Sequence, residues 1–500
     1  MRQGLRQNRH YEVEIDLLQY ALSQGYYVPN SYQLATPVLS MLKNDFKKYE
    51  DVKVWKPVLY NWVLAQKVFL RVLSAMVTTQ NVAVDFESWF ETAFVEAVQL
   101  MDKTTAAGEL WTDYRTRGAA LEAEYDNIKF LVKQVFLGQP VSSLWKVSPK
   151  VEMLPMDKLI VKHKERTFMC CDMVMYIVGL MLYGKQNDSM LFASDTACWS
   201  SVGMSMFKGS WDLMVRNLLR NGDTTFVGYD IKAMEASLSN PIFDVIYRAR
   251  NSFIPGLEKA KVWFLSQLQF SYVVDLEGFL RVKVGGNPSG NLNTLTDNTL
   301  ANILVLLYCF SFKYSDEASL LAFYARFPCK LMGDDSIMAY QPELHELIIA
   351  KTGDLGFTYE LESQPGPLLT QKYLNCGFAY NDLHHMHVPV PNYEKLFASL
   401  YGYRRSPFWR NTLCKIFAMR VLCYNRADFS QQINDLIYFV KTKKQSYLEN
   451  ENNPDITYTA CVNQYKTDEE IESLWFGSEG CAVRETQNLT NMLNSLFKFL

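Results

Sequence analysis

The sequence has no C-x-x-C pair among its 10 cysteines, which are scattered apart from the neighbours Cys170 and Cys171. That excludes a zinc knuckle and a disulfide framework, and it predicts a reducing, cytosolic setting. Long apolar runs are missing as well. The strongest, Ala301 to Phe312, is too short to cross a bilayer, and no signal peptide is expected at the start. Neither sign of charge dominates: 50 Lys and Arg stand against 53 Asp and Glu, a formal net charge of -3. A global attraction to polyanions is thereby excluded, so binding to nucleic acid has to come from local basic clusters. There is no internal repeat and no low-complexity stretch. What the chain does have is core material. Of its 500 residues 49% are hydrophobic and 14% aromatic, enough to bury a large core divided among several subdomains.

The chain is organised around Lys330-Leu331-Met332-Gly333-Asp334-Asp335-Ser336-Ile337-Met338. Apolar residues flank two adjacent acids and a glycine, a pattern that predicts a strand, a tight turn and a returning strand. The acids supply hard oxygen ligands of the kind Mg2+ or Mn2+ prefers. Taken alone, the same tripeptide is equally an exposed acidic turn, since Asp and Gly are common turn formers.

Taken in order, residues 1–100 read as mostly helical, as in Trp62 to Leu70, and as a packing scaffold without visible chemistry. Lys103 to Gly108 is a run of small and hydroxyl residues, suited to a loop whose backbone approaches something closely or to a plain connection. Lys158 opens a basic stretch in which Lys162, Lys164 and Arg166 alternate. On a strand these three share one face, as a triphosphate-holding ribbon or as a solvated edge. The β-prone run Thr225 to Tyr229 ends in Asp230, a strand-end position good for a functional carboxylate or for a cap, and Glu235 follows.

The most specific stretch is Gly285 to Asn298, a glycine-rich loop running into a long apolar helix. Gly290, Thr294 and Asn298 lie four apart, so they are expected on one helical face, as a ligand contact or a buried polar network. Further on, Leu344 to Ala350 reads as a helix and Gln371 to Phe378 as a short strand. His384, His385 and His387 lack acidic or cysteine companions, so they read as a surface loop. The basic and aromatic cluster Tyr401 to Arg410 fits either nucleic-acid contact or a helix-packing corner.

In this order and spacing, Asp230…Glu235, Ser289-Gly290…Thr294…Asn298 and Gly333-Asp334-Asp335 resemble motifs A, B and C of viral RNA-dependent RNA polymerases. Lys150, Glu152, Lys158, Lys164, Arg166, Thr167 and Phe168 are similar to motif F, and Thr104 to Gly108 fall where the template-contacting motif G is expected. Val202-Gly203-Met204 with Gly209-Ser210-Trp211, and Gly286 to Gly290, are most similar to the positive-strand branch containing astroviruses and potyviruses. The resemblance covers about Thr104 to Lys395.

That resemblance implies an α+β right-hand polymerase fold with fingers, palm and thumb, its antiparallel palm sheet flanked by helices. The implied division is an N-terminal helical region joining fingers and thumb (1–100), fingers (101–224), palm with motif A (225–250), fingers again (251–284), palm with motifs B to E (285–390) and a helical thumb (391–500). It implies template-directed nucleotidyl transfer that replicates a viral RNA genome. Asp230, Asp334 and Asp335 would be catalytic and hold two Mg2+ or Mn2+ ions about 3.5–4 Å apart. Lys158, Lys162, Lys164 and Arg166 would hold the incoming triphosphate, and Glu235, Ser289, Thr294 and Asn298 would read the ribose. Thr104, Thr105, Gly108, Gly290, Arg404 and Arg405 would contact template and product RNA.

The implied partners are RNA, ribonucleoside triphosphates, a protein primer and other viral replication proteins. The implied setting is the host cell cytoplasm, at membrane-associated complexes through those partners. Two points depart from the family pattern or stay open: Glu235 stands where the family usually has Asp, and the motif D general acid is either Lys351 or Lys372. Two other readings compete, a reverse transcriptase and a catalytically silent RNA-binding replication scaffold. Met332 and the Ser289…Thr294…Asn298 helix favour an RNA product.

Overall fold

The structure, a computed structural model, describes residues 14–477 except 36–37, 51–53, 78, 80–84, 162–164, 194–197 and 403–407. Among the described residues the strands are β1 (Tyr32–Leu34), β2 (Trp145–Lys150), β3 (Met153–Pro155), β4 (Arg166–Cys170), β5 (Phe226–Ile231), β6 (Phe270–Val274), β7 (Leu280–Val284), β8 (Cys329–Met332), β9 (Asp335–Ala339), β10 (Tyr359–Leu361), β11 (Lys372–Tyr373), β12 (Cys376–Asn381) and β13 (Met386–Pro391). They form four sheets, ordered β10-β5-β9-β8, β4-β2-β6-β7, β11-β12-β13 and β1-β3.

The sheet β10-β5-β9-β8 is antiparallel throughout and positions the site. Phe, Val, Tyr and Ile give β5 strong strand preference, and every residue of it except Asp230 is buried, so both of its faces are covered. Packed against this sheet is the helix Thr294–Phe310, buried at every position from Thr296 to Phe310. A helix buried all round has no solvent face and is a core element, so the polar side chains in it need partners within the protein. The apolar run 301–312 is thus the centre of the main core, where each fully buried Leu or Phe contributes roughly 1.5–3 kcal/mol.

Local signals account for some helix ends. Thr116 caps Arg117–Leu137 by accepting the Ala119 N–H, and Gly138 stops that helix at φ +79. The expected helix at 344–350 runs Pro342–Lys351, with proline in its first turn. The expected short strand at 371–378 is instead a hairpin of β11 and β12, because Leu374 (φ 53) and Asn375 (φ 60) both turn left-handed.

The C-terminal helices Tyr393–Gly402, Trp409–Leu422 and Ala427–Lys443 enclose a second core around Phe397, Phe417 and Leu436. Leu17 and Ala21 of the helix Ile15–Ser23 complete that core, while β1 pairs with β3 on the other side. The described residues from Ile15 to Leu34 therefore bridge two parts of the molecule that lie far apart in sequence. Among the described residues, no helix is long and apolar enough to cross a membrane.

Candidate active site

The turn between β8 and β9 is made by Gly333 at φ +66, a backbone conformation that glycine adopts without cost. Its backbone is clamped from the buried helix. The Gly333 N–H donates to Thr299 Oγ1 at 2.8 Å, and Asn302 Nδ2 donates to the Gly333 carbonyl at 3.1 Å. Tyr359 of β10 holds Asn302 in turn, its hydroxyl 2.7 Å from Oδ1. Asp334 and Asp335 therefore project from a fixed turn.

Tyr229 of β5 faces Ser336 of β9. One step further along the two strands come Asp230 and Asp335, at the same end of the sheet. The electrostatics record the meeting. Burial pushes the Asp335 carboxyl up to about 7, helped by the charges of Asp334, Glu362 and Asp230. Asp334 is raised by burial and by Asp230 and Glu235, against a lowering pull from Arg166. Partly desolvated like charges of this kind oppose one another's ionisation unless a cation joins them.

Glu362 belongs to the same cluster and was not singled out in the sequence. Its carboxyl is raised by burial and by Asp230, with Lys372 and Lys158 pulling it down. It follows β10, where the Glu362 N–H donates to the Gly228 carbonyl at 3.0 Å. The signal that could have found it is the alternation Glu360-Leu361-Glu362, which puts two acids on one strand face. The same fields separate the two candidate lysines. Lys372 acts on Glu362, whereas Lys351 Nζ stands 4.5 Å over the Phe312 ring, beside Cys309.

The loop before the buried helix is held by its own polar atoms. The helix begins at Thr294, so Gly290 lies outside it and does not share the expected face with Thr294 and Asn298. The Thr294 hydroxyl donates into the loop, to the carbonyls of Asn291 (2.7 Å) and Pro288 (2.9 Å). Ser289 Oγ accepts the Met169 N–H at 3.3 Å, and Gly290 forms a bridge with Cys170 of β4. A methyl group on Gly290 would stand 1.9 Å from the Met169 carbonyl oxygen. Buried Asn298 accepts from Asn287 Nδ2 at 2.8 Å. Beneath the loop, Arg250 Nη1 meets Asp297 Oδ1 at 2.7 Å with both side chains fully buried, and Tyr247 donates to Asp297 Oδ2 at 2.6 Å.

Arg166 opens β4 exposed, 3.5 Å from Glu152, and its charge reaches Asp334 and Glu235. Lys158 sits in a helical turn, Asp157–Val161, and not on that strand. Lys162 and Lys164 lie outside the described residues, as do Arg404 and Arg405. Thr104 and Thr105 are exposed, with hydroxyls donating to Asp102 at 2.7 and 2.9 Å. The close approach expected at Gly108 is to protein: a methyl group there would stand 3.1 Å from Asp172 Cα.

Residues 1–100, expected as a packing scaffold, also bring a charge to Glu235. Lys48 Nζ stands 2.5 Å from Glu235 Oε1 and 3.1 Å from Asp45 Oδ1. Burial raises the Glu235 carboxyl, but the charge of Lys48 and its hydrogen bond outweigh that and hold it below the usual range. No periodicity in the sequence points from position 48 to position 235.

Among the described residues, no group of three or more His, Cys, Asp or Glu side chains is arranged to close around a metal ion. Mg2+ commonly takes one or two carboxylates and completes its shell with water and substrate phosphate, so the donor chemistry of Asp230, Asp334 and Asp335 fits that ion.

Residues 18–436 match the family model described as viral RNA-dependent RNA polymerase. A genome polyprotein of watermelon mosaic virus II is 24% identical over 351 residues, covering 67% of this chain and 32% of the relative. The non-structural polyprotein 1AB of human astrovirus-1 is 24% identical over 280 residues, covering 53% of this chain and 19% of the relative. The chain thus spans a third or less of the length of these two polyproteins. Among solved structures, the sicinivirus 3Dpol RNA dependent RNA polymerase superposes with a TM-score of 0.70 at 14% identity, covering 92% of this chain and 96% of that one. At that identity the likeness is one of fold.

Proposed function

The chain belongs to the viral RNA-dependent RNA polymerases and has their right-hand α+β fold, and from that membership we propose that it copies an RNA template by nucleotidyl transfer. The observation that carries this reading is the meeting of Asp230, Asp334 and Asp335 at one end of the sheet, within the field of Arg166. Their oxygens are hard donors, and their mutual repulsion is relieved by a divalent cation. Two Mg2+ or Mn2+ ions held by these carboxylates would activate an attacking 3′-hydroxyl and stabilise departing pyrophosphate.

Arg166, Lys158, Lys162 and Lys164 supply the positive charge that a triphosphate needs. Lys372 is the better placed of the two candidate proton donors, because its charge acts on the acid cluster. Glu235, Ser289, Thr294 and Asn298 serve the sugar. Asn298 and Glu235 offer acceptors, whereas Thr294 acts indirectly by keeping the loop folded. A site that hydrogen-bonds a hydroxyl rejects the analogue lacking it, because its polar groups are then left unpaired. Thr104, Thr105, Gly108, Gly290, Arg404 and Arg405 are assigned to contact with template and product RNA. The division into N-terminal region, fingers, palm and thumb follows the boundaries given above. RNA, ribonucleotides, a protein primer and other replication proteins are the partners, and the host cytoplasm is the setting.

The test is nucleotide incorporation on a primed RNA template with Mg2+ or Mn2+. Wild-type chain should extend the primer with ribonucleotides, and Asp334→Ala should not. Equal, background-level incorporation by both would remove the polymerase reading and leave a silent RNA-binding scaffold. Preferential use of a deoxynucleotide would turn it into a reverse transcriptase.

A further inference from the structure

We propose that Lys48 is a positioning residue for sugar selection: it fixes the carboxylate of Glu235 from a segment far outside the catalytic motifs. This inference rests on the polymerase reading above.

The segment that carries it is built onto the site from three sides. Lys48 lies in the short turn Lys47–Tyr49 that continues the helix Leu39–Phe46. Its ammonium meets Glu235 Oε1 at 2.5 Å and both oxygens of Asp45 at 3.1 and 3.2 Å. Asp45 Oδ2 is anchored in turn, accepting the Thr167 N–H at 2.8 Å and the Thr167 hydroxyl at 2.7 Å. Thr167 adjoins Arg166 in β4, so the segment is tied to the strand proposed to face the triphosphate. On the third side the Tyr49 ring packs against the glycine loop, where a methyl group on Gly286 would stand 2.9 Å from the ring.

Glu235 is thereby gripped at both ends. Its main-chain carbonyl accepts the Asn287 N–H at 2.5 Å, and its side chain is taken by Lys48. Asn298 is oriented by the same Asn287, through its Nδ2. Glutamate has one more rotatable bond than aspartate, so an unheld carboxylate would sample several positions. The pair is only 18% and 23% exposed, so the charges are less screened than a surface pair and can hold one geometry. A carboxylate bonded to Lys48 through one oxygen still has lone pairs with which to accept a sugar hydroxyl. Because the lysine acts through Glu235, its loss should weaken use of the nucleotide that carries the hydroxyl more than use of the one that lacks it.

The experiment is single-nucleotide extension of an RNA primer–template with Mg2+, giving kcat/KM for ATP and for dATP opposite a template uracil. The variants are Lys48→Met, Lys48→Arg, Glu235→Asp and the Lys48→Met/Glu235→Asp double. The expected result is a fall in the ATP/dATP ratio on the order of tenfold in Lys48→Met, carried mainly by the KM for ATP. Lys48→Arg should restore most of the ratio. Glu235→Asp, too short to reach both lysine and sugar, should lose a similar factor, and the double variant should be no worse than either single.

An unchanged ratio in Lys48→Met with both nucleotides slowed alike would make Lys48 a simple staple and overturn the inference. So would multiplicative losses in the double variant. Should Lys48→Met fail to fold, Glu235→Asp decides alone, and undiminished discrimination there overturns the inference. Wild-type chain that extends nothing removes the polymerase reading itself; wild type that extends while its variants keep the ratio removes only the role of Lys48.

Discussion

Ser336 lies opposite Tyr229 in the β5–β9 ladder, and its hydroxyl donates to the Tyr229 carbonyl at 3.0 Å. That one register sets the relative height of the two acid-bearing chain segments. A slip by a single residue would send Asp335 to the other face of the sheet and part it from Asp230.

If the proposed cation site is right, Asp230→Ala and Asp334→Ala should each lower primer extension by about a thousandfold or more, through loss of a cation ligand. Asp335→Asn should lose less activity and melt at a higher temperature than wild type in EDTA, because it removes a buried like charge whose carboxyl stands near 7. Mg2+ should then raise the melting temperature of wild type more than that of Asp335→Asn. Calorimetry with and without Mg2+ reads both; a variant that melts lower in EDTA contradicts the account.

Asp172 gives a pH prediction away from the acidic hairpin. Burial raises its carboxyl to about 7, although the Val174 N–H and the Trp111 indole N–H both donate to it. The folded state therefore binds this proton more tightly than the unfolded chain does. The contribution is fully present below about pH 4 and is lost as the pH rises through 7. Urea midpoints of wild type relative to Asp172→Asn should accordingly fall between pH 5 and pH 8. A pH-independent difference would show that the group is ionised throughout.

Gly290→Ala should cost several kcal/mol, about 2–4, because its methyl would stand 1.9 Å from a main-chain oxygen of a paired strand that cannot retreat. The loss should appear as a lower urea midpoint, with activity falling further than stability because the loop carries Ser289, proposed above to serve the sugar.

Arg250 and Asp297 form a fully buried ion pair. Arg250→Met alone strands a buried carboxylate and should cost about 3–5 kcal/mol, whereas Arg250→Met/Asp297→Leu should cost less than the sum of the two singles. Additive costs in a double-mutant cycle would mean that the two charges do not depend on each other.

Much of the site was legible because its signals are local. A glycine between an apolar strand and two acids makes a turn, a β-prone run ending in Asp230 makes a strand end, and a glycine-rich loop before an apolar run makes a helix start. Each depends on a few neighbouring residues and their dihedral preferences. Where the reading went astray, tertiary contacts had overridden such a pattern. Counting by fours from Gly290 fails because the helix begins only at Thr294, and Gly290 is instead bridged to Cys170 of β4 and packed against Met169 in a stretch of turns.

By itself, then, the sequence determined the acidic hairpin, the strand-end aspartate and the buried helix behind them, since turn chemistry and apolar periodicity act over short spans of chain. Only the tertiary structure decided which charges meet. Lys48 and Glu235 are 187 residues apart, and Glu362 joins the aspartates through the pairing of β10 with β5. It also set Lys372 near the acids and left Lys351 over a phenylalanine ring. Coulomb energy depends on distance and burial, and both are fixed by sheet register and helix docking, which no stretch of sequence contains on its own.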